Sequence, residues 1–280
     1  FPTEPEIFFF FLKTNFKVIN CVVKFSVMST LNIAGINLDI IWKNKEQNFR
    51  NIEEQFSNTE ADLFLLPEMF STGFCMEAEE VADRQLETLT WMQSFAKSKN
   101  SAVAGSASVA ENGKFYNRFY FVFPDGSFEY YDKRHLFSYS GEDKIYTAGT
   151  QRKIIDYKGF KILLQVCFDL RFPVFSRNQD DYDAIFYVAN WPKSRVEAWK
   201  SLLKARSIEN QACLFGLNRI GTDGYKLDYE ESSLVYFPDG REISERKNNV
   251  VLSEWNMEEL KEFRNKFPFL AERDGFQIGI

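Results

Sequence analysis

Histidine is almost missing from this sequence: His135 is the only one among 280 residues. A metal site that needs two imidazole ligands is therefore excluded, and with it the H-E-x-x-H metallohydrolases. Cysteine is also scarce, because the four cysteines, at positions 21, 75, 167 and 213, form no C-x-x-C pair. Such a pattern indicates free thiols in a reducing compartment, the cytoplasm, and not a disulfide framework.

Basic residues are outnumbered by acidic ones, 34 to 40. The formal net charge is -6, so the chain offers no basic footprint for nucleic acid or for an anionic membrane. We expect a small soluble molecule as its partner. With 45% hydrophobic and 26% charged residues, the chain can bury a substantial core, and no linker or low-complexity tract divides it. One α/β domain is the simplest prediction.

The first 27 residues differ from the rest. They contain four consecutive phenylalanines at positions 8 to 11, but Glu4 and Glu6 stand where a secretory signal would carry cations. The apolar run is also too short to cross a membrane. Met28 is followed directly by a strand-like segment. We therefore expect residues 1–27 to be an N-terminal extension of doubtful status and residues 28–280 to form the domain.

From Met28 onward, strand-like apolar runs alternate with helical patterns. The predicted strands cover 31–36, 61–66, 102–109, 115–123, 128–132, 154–157, 161–166, 184–188, 213–217 and 234–237. The predicted helices cover 45–56, 82–97 and 195–210, and a further helix is expected to start near Pro173.

Three segments place a reactive side chain where an apolar strand ends. Glu68 follows the buried run 62–67, Lys133 follows the aromatic strand 128–132, and Cys167 follows the run 162–166. A thiol at a strand-to-helix turn can be exposed and surrounded by backbone N–H groups. These three positions are therefore candidates for a hydrolytic site.

Each residue taken alone also has an ordinary explanation. Glu68 and Lys133 could be solvated loop charges, and a cysteine in an apolar strand usually fills space in a core, which is our interpretation of Cys213. Cys75 is expected to be inert, and His135 to be structural. Cys167 differs because it stands at a strand end.

The segments resemble motifs of the nitrilase (carbon-nitrogen hydrolase) superfamily, whose members hydrolyse amides or nitriles through a Glu, Lys and Cys triad. The matching segments are 66–70, 131–137 and 166–173, and 141–147 is similar to the one that supplies a second glutamate. The resemblance implies that Glu68, Lys133 and Cys167 are catalytic and that Glu142 supports Lys133. It also implies a four-layer α-β-β-α sandwich that pairs into homodimers.

Within the superfamily, the sequence is most similar to bacterial omega-amidases of the YafV type. The segments that carry this likeness are 187–192, 205–211, 218–224 and 263–268. The subgroup implies 2-oxoglutaramate and 2-oxosuccinamate as substrates. Phe168 departs from the pattern, since many relatives carry tyrosine there; because this position donates its backbone N–H to the oxyanion, the missing phenol need not matter.

The implied chemistry explains why these residue types occur together. Cys167 attacks the amide carbonyl, and Glu68 accepts the thiol proton, passes it to the departing ammonia and then activates water. Lys133 and the Phe168 N–H stabilise the oxyanion of the tetrahedral intermediate. Loss of ammonia from this intermediate leaves a thioester on Cys167. No metal or organic cofactor is required.

A 2-oxo acid carries a carboxylate, so the pocket should contain a cation besides Lys133. The candidates are Arg195, which we favour, Lys193 and Arg171. Phe74 and Trp191 are candidates for an apolar wall, and Asn190 for an amide contact.

Two other functions stay open. The chain could be another amidase of the superfamily, such as a carbamoyl amide hydrolase, or a nitrilase, with the same triad. It could also be a non-catalytic binding protein that retains the fold.

Overall fold

The computed structural model describes residues 29–278. The expected N-terminal extension, Met28 and Cys21 lie outside the described residues, as do positions 279 and 280, so the predicted domain boundary stays a prediction.

The described part of the chain contains two large β-sheets. The first has the strand order β13-β14-β1-β2-β3-β4-β5 and the second β12-β9-β8-β7-β6, while β10 and β11 form a small separate ribbon. The strands are β1 (Thr30–Ile36), β2 (Leu63–Leu65), β3 (Ala102–Glu111), β4 (Lys114–Val122), β5 (Phe128–Asp132), β6 (Ile154–Tyr157), β7 (Phe160–Val166), β8 (Ala184–Ala189), β9 (Cys213–Asn218), β10 (Gly221–Thr222), β11 (Asp228–Tyr229), β12 (Leu234–Tyr236), β13 (Glu245–Lys247) and β14 (Val250–Asn256).

Each sheet has three parallel central strands and antiparallel strands at its margins. β1, β2 and β3 run parallel in one sheet, and β7, β8 and β9 run parallel in the other. Parallel neighbours require crossovers, which the helices supply. The helices are α1 (Lys45–Gln55), α2 (Ala78–Val81), α3 (Glu87–Lys99), α4 (Glu142–Ile145), α5 (Pro173–Ser176), α6 (Val196–Asn210) and α7 (Met257–Lys266).

Period-two alternation along the strands builds the layers. In β1, Leu31 and Ile33 pack in a core shared by both sheets, whereas Ala34 and Ile36 pack with residues of α1 and α3. The second sheet likewise presents its other face to α6. The predicted four-layer α-β-β-α arrangement is therefore observed.

The sheets approach each other closely at Gly35. A methyl group built at this position would lie 2.7 Å from the ring of Phe215 in the opposite sheet. Only a residue without a Cβ allows this contact, which lies toward the end of β1 and fixes the spacing between the two sheets.

Most predicted elements agree with the structure within two residues, but one helix start was wrong. The helix predicted over 82–97 begins at Glu87, because Asp83 forms a bridge with Val109 and Leu86 adopts a left-handed conformation with φ of 61°. The sequence interpretation also missed β14 and α7. The helix expected near Pro173 is the single turn α5.

No helix within residues 29–278 is long and apolar enough to cross a membrane.

Candidate active site

The three predicted catalytic residues lie where strands of both sheets end. Glu68 follows β2 and Lys133 follows β5 in the first sheet, whereas Cys167 follows β7 in the second. Because the sheets pack face to face, side chains that are far apart in sequence meet at one edge of the sandwich. This is the usual place for a site in α/β proteins.

Lys133 lies between two carboxylates. Its Nζ is 2.9 Å from Glu68 Oε1 and 2.9 Å from Glu142 Oε2, and a third contact of 3.1 Å reaches Glu142 Oε1. All three side chains are fully buried. Glu142 is the first residue of α4, and its Oε2 also accepts the backbone N–H of Phe137 at 2.6 Å. The predicted supporting position of Glu142 therefore has a geometric basis.

The burial of two carboxylates with one ammonium sets the electrostatics of the site. Burial lowers the pKa of Lys133, but Glu142 and Glu68 more than compensate and hold it well above its usual value. The pKa of Glu142 is raised, first by burial and also by the charge of Glu68, although Lys133 opposes the shift. Lys133 therefore stays charged throughout the physiological range.

Two asparagines orient Glu68. The sequence analysis did not identify Asn117, and it assigned Asn190 only a contact with the substrate. Asn117 in β4 donates its amide to Glu68 Oε1 at 2.8 Å and to Glu142 Oε1 at 3.2 Å. Asn190, predicted as a substrate contact, donates its backbone N–H to Glu68 Oε2 at 2.8 Å and its side-chain amide to the Glu68 carbonyl at 2.6 Å. Its side-chain oxygen Oδ1 has no partner within the described residues. Asn190 thus positions Glu68 and keeps one acceptor free.

Cys167 occupies a strained turn. Its φ is +44°, an uncommon value for a residue with a side chain, and it opens a short 3-10 turn, Cys167–Arg171. Its Sγ lies 3.9 Å from the carbonyl oxygen of Asn190. Strain of this kind persists only where the surroundings enforce it, and it is concentrated at functional sites.

The thiol of Cys167 is neutral at rest. Burial and the charge of Glu68 raise its pKa well above the usual value, and the charge of Lys133 offsets this only in part. The thiol therefore needs a base in order to attack, and Glu68 lines the same cleft as Cys167. The arrangement suits proton transfer from Cys167 to Glu68 during nucleophilic attack.

Phe168 is the second residue of the 3-10 turn, where N–H groups have no acceptor within the turn. Its ring packs edge-on against Phe137 and Phe172, at 5.0 and 5.2 Å between centroids. These aromatic contacts hold in place the residue whose backbone N–H, according to the family resemblance, donates to the oxyanion.

A cleft of about 580 Å³ opens over Cys167 and Glu68. The four predicted substrate-binding residues all line it: Phe74, Asn190, Trp191 and Arg195. The ring of Phe74 also covers Lys133, whose Nζ is 5.2 Å from its centroid. The far wall comes from the β10–β11 ribbon, which sequence reasoning did not assign to the site: Asp223, Tyr225, Leu227 and Tyr229.

Two of the three cation candidates line the cleft. Arg171 lies over the ring of Trp191 at 5.0 Å and Arg195 over that of Phe137 at 5.2 Å. Neither guanidinium has a carboxylate partner among residues 29–278. Lys193 does not line the cleft; it is 64% exposed and lies 3.9 Å from Glu230.

Cys75 and Cys213, the other two cysteines that the structure describes, do not line the cleft. Cys213 is buried in the core between the sheets, and Cys75 is buried with its Sγ 2.9 Å from Glu77. Within the described part of the chain, no group of three or more His, Cys, Asp or Glu side chains is arranged to hold a metal.

Known proteins resemble this chain over almost its whole described length. Omega-amidase YafV from Escherichia coli is 40% identical over 90% of this chain and 100% of the relative, and 2-oxoglutaramate amidase from Bacillus subtilis is 31% identical over 84% and 95%. The crystal structure of a CN-hydrolase superfamily protein from Xanthomonas campestris, 35% identical, superimposes with a TM-score of 0.86 and covers 89% of this chain and 99% of that one. Residues 32–265 match the carbon-nitrogen hydrolase family. The chain belongs to the carbon-nitrogen hydrolase family, and its mixed α/β fold is that of the nitrilase superfamily.

Proposed function

We propose that this enzyme hydrolyses the omega-amide of small 2-oxo acids, such as 2-oxoglutaramate and 2-oxosuccinamate, to the 2-oxo acid and ammonia. The observation that carries the proposal is a cleft with a buried Glu68–Lys133 pair beside Cys167 at its floor and two guanidinium groups, without carboxylate partners among the described residues, in its wall. The similarity to an omega-amidase and to a 2-oxoglutaramate amidase supports the same substrate class.

The reaction begins when the Cys167 thiol attacks the amide carbonyl and its proton passes to Glu68. Negative charge develops on the carbonyl oxygen, where the Lys133 ammonium and the Phe168 N–H stabilise it. Collapse of the tetrahedral intermediate breaks the C–N bond, and the proton on Glu68 leaves with the nitrogen as ammonia.

Hydrolysis of the thioester completes the cycle. Glu68 accepts a proton from water as the water oxygen attacks the thioester carbonyl, and when the tetrahedral intermediate collapses the C–S bond breaks and Glu68 returns that proton to the Cys167 sulfur. Asn117 and Asn190 hold the Glu68 carboxylate in place in both halves. Glu142 keeps Lys133 charged and oriented.

Charge complementarity explains the choice of a carboxylated amide. A substrate carboxylate would pair with Arg195 or Arg171, and charge-assisted pairs with guanidinium groups are strong because they can be bidentate. Phe74 and Trp191 enclose the short carbon chain, and Asn190, which lines the same cleft, is the contact for the amide group.

The same proposal includes a homodimer in the cytoplasm. The superfamily resemblance supports pairing, which sedimentation equilibrium of purified protein tests: a monomer mass would reject it. The free thiols of Cys75, Cys167 and Cys213 support a reducing compartment.

A substrate panel tests the function. Ammonia release from 2-oxoglutaramate, from a carbamoyl amino acid and from an aliphatic nitrile should be highest for 2-oxoglutaramate. Preference for either of the other compounds would support the alternative amidase or nitrilase. No turnover of any compound, together with tight binding of one of them, would support a non-catalytic binding protein.

A further inference from the structure

A buried carboxylate that takes no part in the mechanism lies directly behind Cys167. Asp169 is fully buried, and its Oδ2 accepts the Val166 N–H and the Tyr131 hydroxyl, each at 2.9 Å. Its Oδ1 accepts the His135 N–H at 2.9 Å and contacts His135 Nδ1 at 2.8 Å. Asp169, His135 and Tyr131 form what we call the Asp169 clamp, and none of the three lines the cleft.

The clamp joins two segments that must meet for catalysis. Tyr131 and His135 flank Lys133 by two residues on either side, and Asp169 follows Cys167 by two residues. Three of these contacts, from Tyr131 and from two nitrogens of His135, therefore link the segment that carries the ammonium to the segment that carries the thiol, and the fourth, from Val166, lies within the thiol segment.

The His135 ring is held on two sides. It stacks on Phe172 with 3.9 Å between centroids and 6° between planes, and meets the edge of Phe175 at 5.2 Å. Phe172 follows the 3-10 turn that begins at Cys167. The His135 ring therefore contacts the residue that follows the 3-10 turn, Phe172, while Asp169 binds the residue that precedes the turn, Val166.

The strain at Cys167 gives the clamp a task. A non-glycine residue with positive φ is strained, and such a conformation persists only when neighbouring contacts enforce it. The Val166 N–H bond to Asp169 holds the Gln165–Val166 peptide, and the Phe168 N–H belongs to the second peptide after it, on the far side of Cys167.

We propose that Asp169 and His135 are positioning residues that orient the Phe168 N–H toward the reacting carbonyl oxygen. They do not touch the substrate. This inference rests on the proposed amidase function, in which that N–H stabilises the oxyanion. Misplacement of such a donor by a fraction of an ångström raises the barrier without weakening substrate binding.

Two substitutions at His135 separate donor chemistry from volume. In His135→Leu the bulk stays but the side-chain donor is lost, whereas His135→Asn keeps an N–H that can reach Asp169. We expect His135→Leu to lower kcat about 10- to 100-fold with KM within about twofold, and His135→Asn to recover at least about a third of the wild-type kcat.

A milder variant guards against misfolding at His135. Tyr131→Phe removes the hydroxyl that donates to Asp169 and accepts the Arg134 N–H, keeps the ring, and should lower kcat about three- to tenfold. Its matched control is Tyr157→Phe, which removes a tyrosine hydrogen bond to the Asp62 carbonyl, away from the cleft, and should leave kcat unchanged.

Alkylation of Cys167 by iodoacetamide distinguishes positioning from general damage, because that reaction needs the sulfur but no oxyanion donor. The clamp predicts alkylation rates within about threefold of wild type in Tyr131→Phe and His135→Leu, with melting temperatures close to that of wild type. A kcat within twofold of wild type in Tyr131→Phe, or an equal loss of kcat and alkylation in every variant, would overturn the inference.

The choice of substrate keeps this test separate from the proposed function. Each variant is assayed with the amide that the wild-type protein hydrolyses fastest. If that amide is not a 2-oxo acid amide, the proposed substrate class is wrong while the clamp is still tested by the same ratios.

Discussion

Lys133 Nζ and Glu68 Oε1 lie 2.9 Å apart in a fully buried ion pair, although 65 residues separate them in sequence. Glu142 shares the same ammonium, so two carboxylates depend on one cation. The excess of one buried carboxylate over the cation determines how the site should respond to loss of Lys133 and to pH.

Replacing Lys133 should cost stability as well as activity. In Lys133→Met, Glu68 and Glu142 are left buried without a cation, and breaking a buried pair in this way costs about 3 to 5 kcal/mol. Urea unfolding measures the loss. The exposed Lys193→Met is the matched control and should change stability by less than about 0.5 kcal/mol.

The cost in Lys133→Met should also depend on pH. The folded-state pKa of Glu142 is already raised by burial, and removal of the opposing Lys133 raises it further. The folded variant then binds more protons than the unfolded chain, so its stability is lost as pH rises from the ordinary range of glutamate, about 4.3, through the raised value. Equal deficits at pH 5 and pH 8 would contradict this account.

Glu68→Gln should make Cys167 more acidic while abolishing turnover. Burial raises the pKa of the thiol, the charge of Glu68 raises it further, and Lys133 lowers it. With the carboxylate neutralised, the pH midpoint of Cys167 alkylation should move to lower pH, and ammonia release should fall at least about a hundredfold.

Glu60→Gln serves as the control for Glu68→Gln, since Glu60 is exposed and does not line the cleft. An unchanged or higher alkylation midpoint in Glu68→Gln would show that Glu68 does not act on the thiol.

Arg195→Ala should weaken binding of a carboxylated substrate. A hydrogen bond to a charged group contributes about 1.5 to 3 kcal/mol, so KM for 2-oxoglutaramate should rise about 10- to 100-fold with a smaller change in kcat. Lys193→Ala removes a neighbouring cation that does not line the cleft and should leave KM unchanged. If Arg195→Ala leaves KM unchanged and Arg171→Ala raises it, the carboxylate is bound by Arg171 instead.

Glutamine should be a poor substrate. Its ammonium group would lie in a cleft that contains Arg171 and Arg195, where like charge raises the free energy of binding. Asp223, an acidic residue of the wall, already accepts hydrogen bonds from Tyr229 and from two backbone N–H groups. We expect kcat/KM for glutamine to be at least about a hundredfold below that for 2-oxoglutaramate; similar values would reject this source of specificity.

Sequence reasoning predicted Glu68, Lys133 and Cys167 as catalytic because each follows an apolar strand and, above all, because the surrounding segments resemble family motifs, and both features can be read without coordinates. Asn117 could not be found in this way, since it is a single amide within the strand β4 and its importance depends on Glu68 and Glu142 lying opposite. The role of Asn190 in holding Glu68 depends largely on its backbone N–H, which no residue type reveals.

The strands that sequence reasoning missed, β14 and the β10–β11 ribbon, were missed for different reasons. β14 alternates in burial, with Val251 and Trp255 facing the core, so its sequence did contain a strand pattern. β14 pairs antiparallel with β1, which lies more than 200 residues earlier in the sequence, and the sequence pattern does not indicate such a distant pairing. The β10–β11 ribbon has only two residues in each strand, too few for periodicity to indicate, yet it borders the cleft.

Ammonia release from 2-oxoglutaramate by the wild-type protein, Cys167→Ala and Cys213→Ala tests the central claim most directly. Cys213→Ala is the control, because it also removes a thiol, but one that is buried in the core between the sheets. We predict that Cys213→Ala stays active, while Cys167→Ala loses at least about a thousandfold in kcat, as expected when a nucleophile is removed. Continued ammonia release by Cys167→Ala at a rate near that of the wild type would contradict the account.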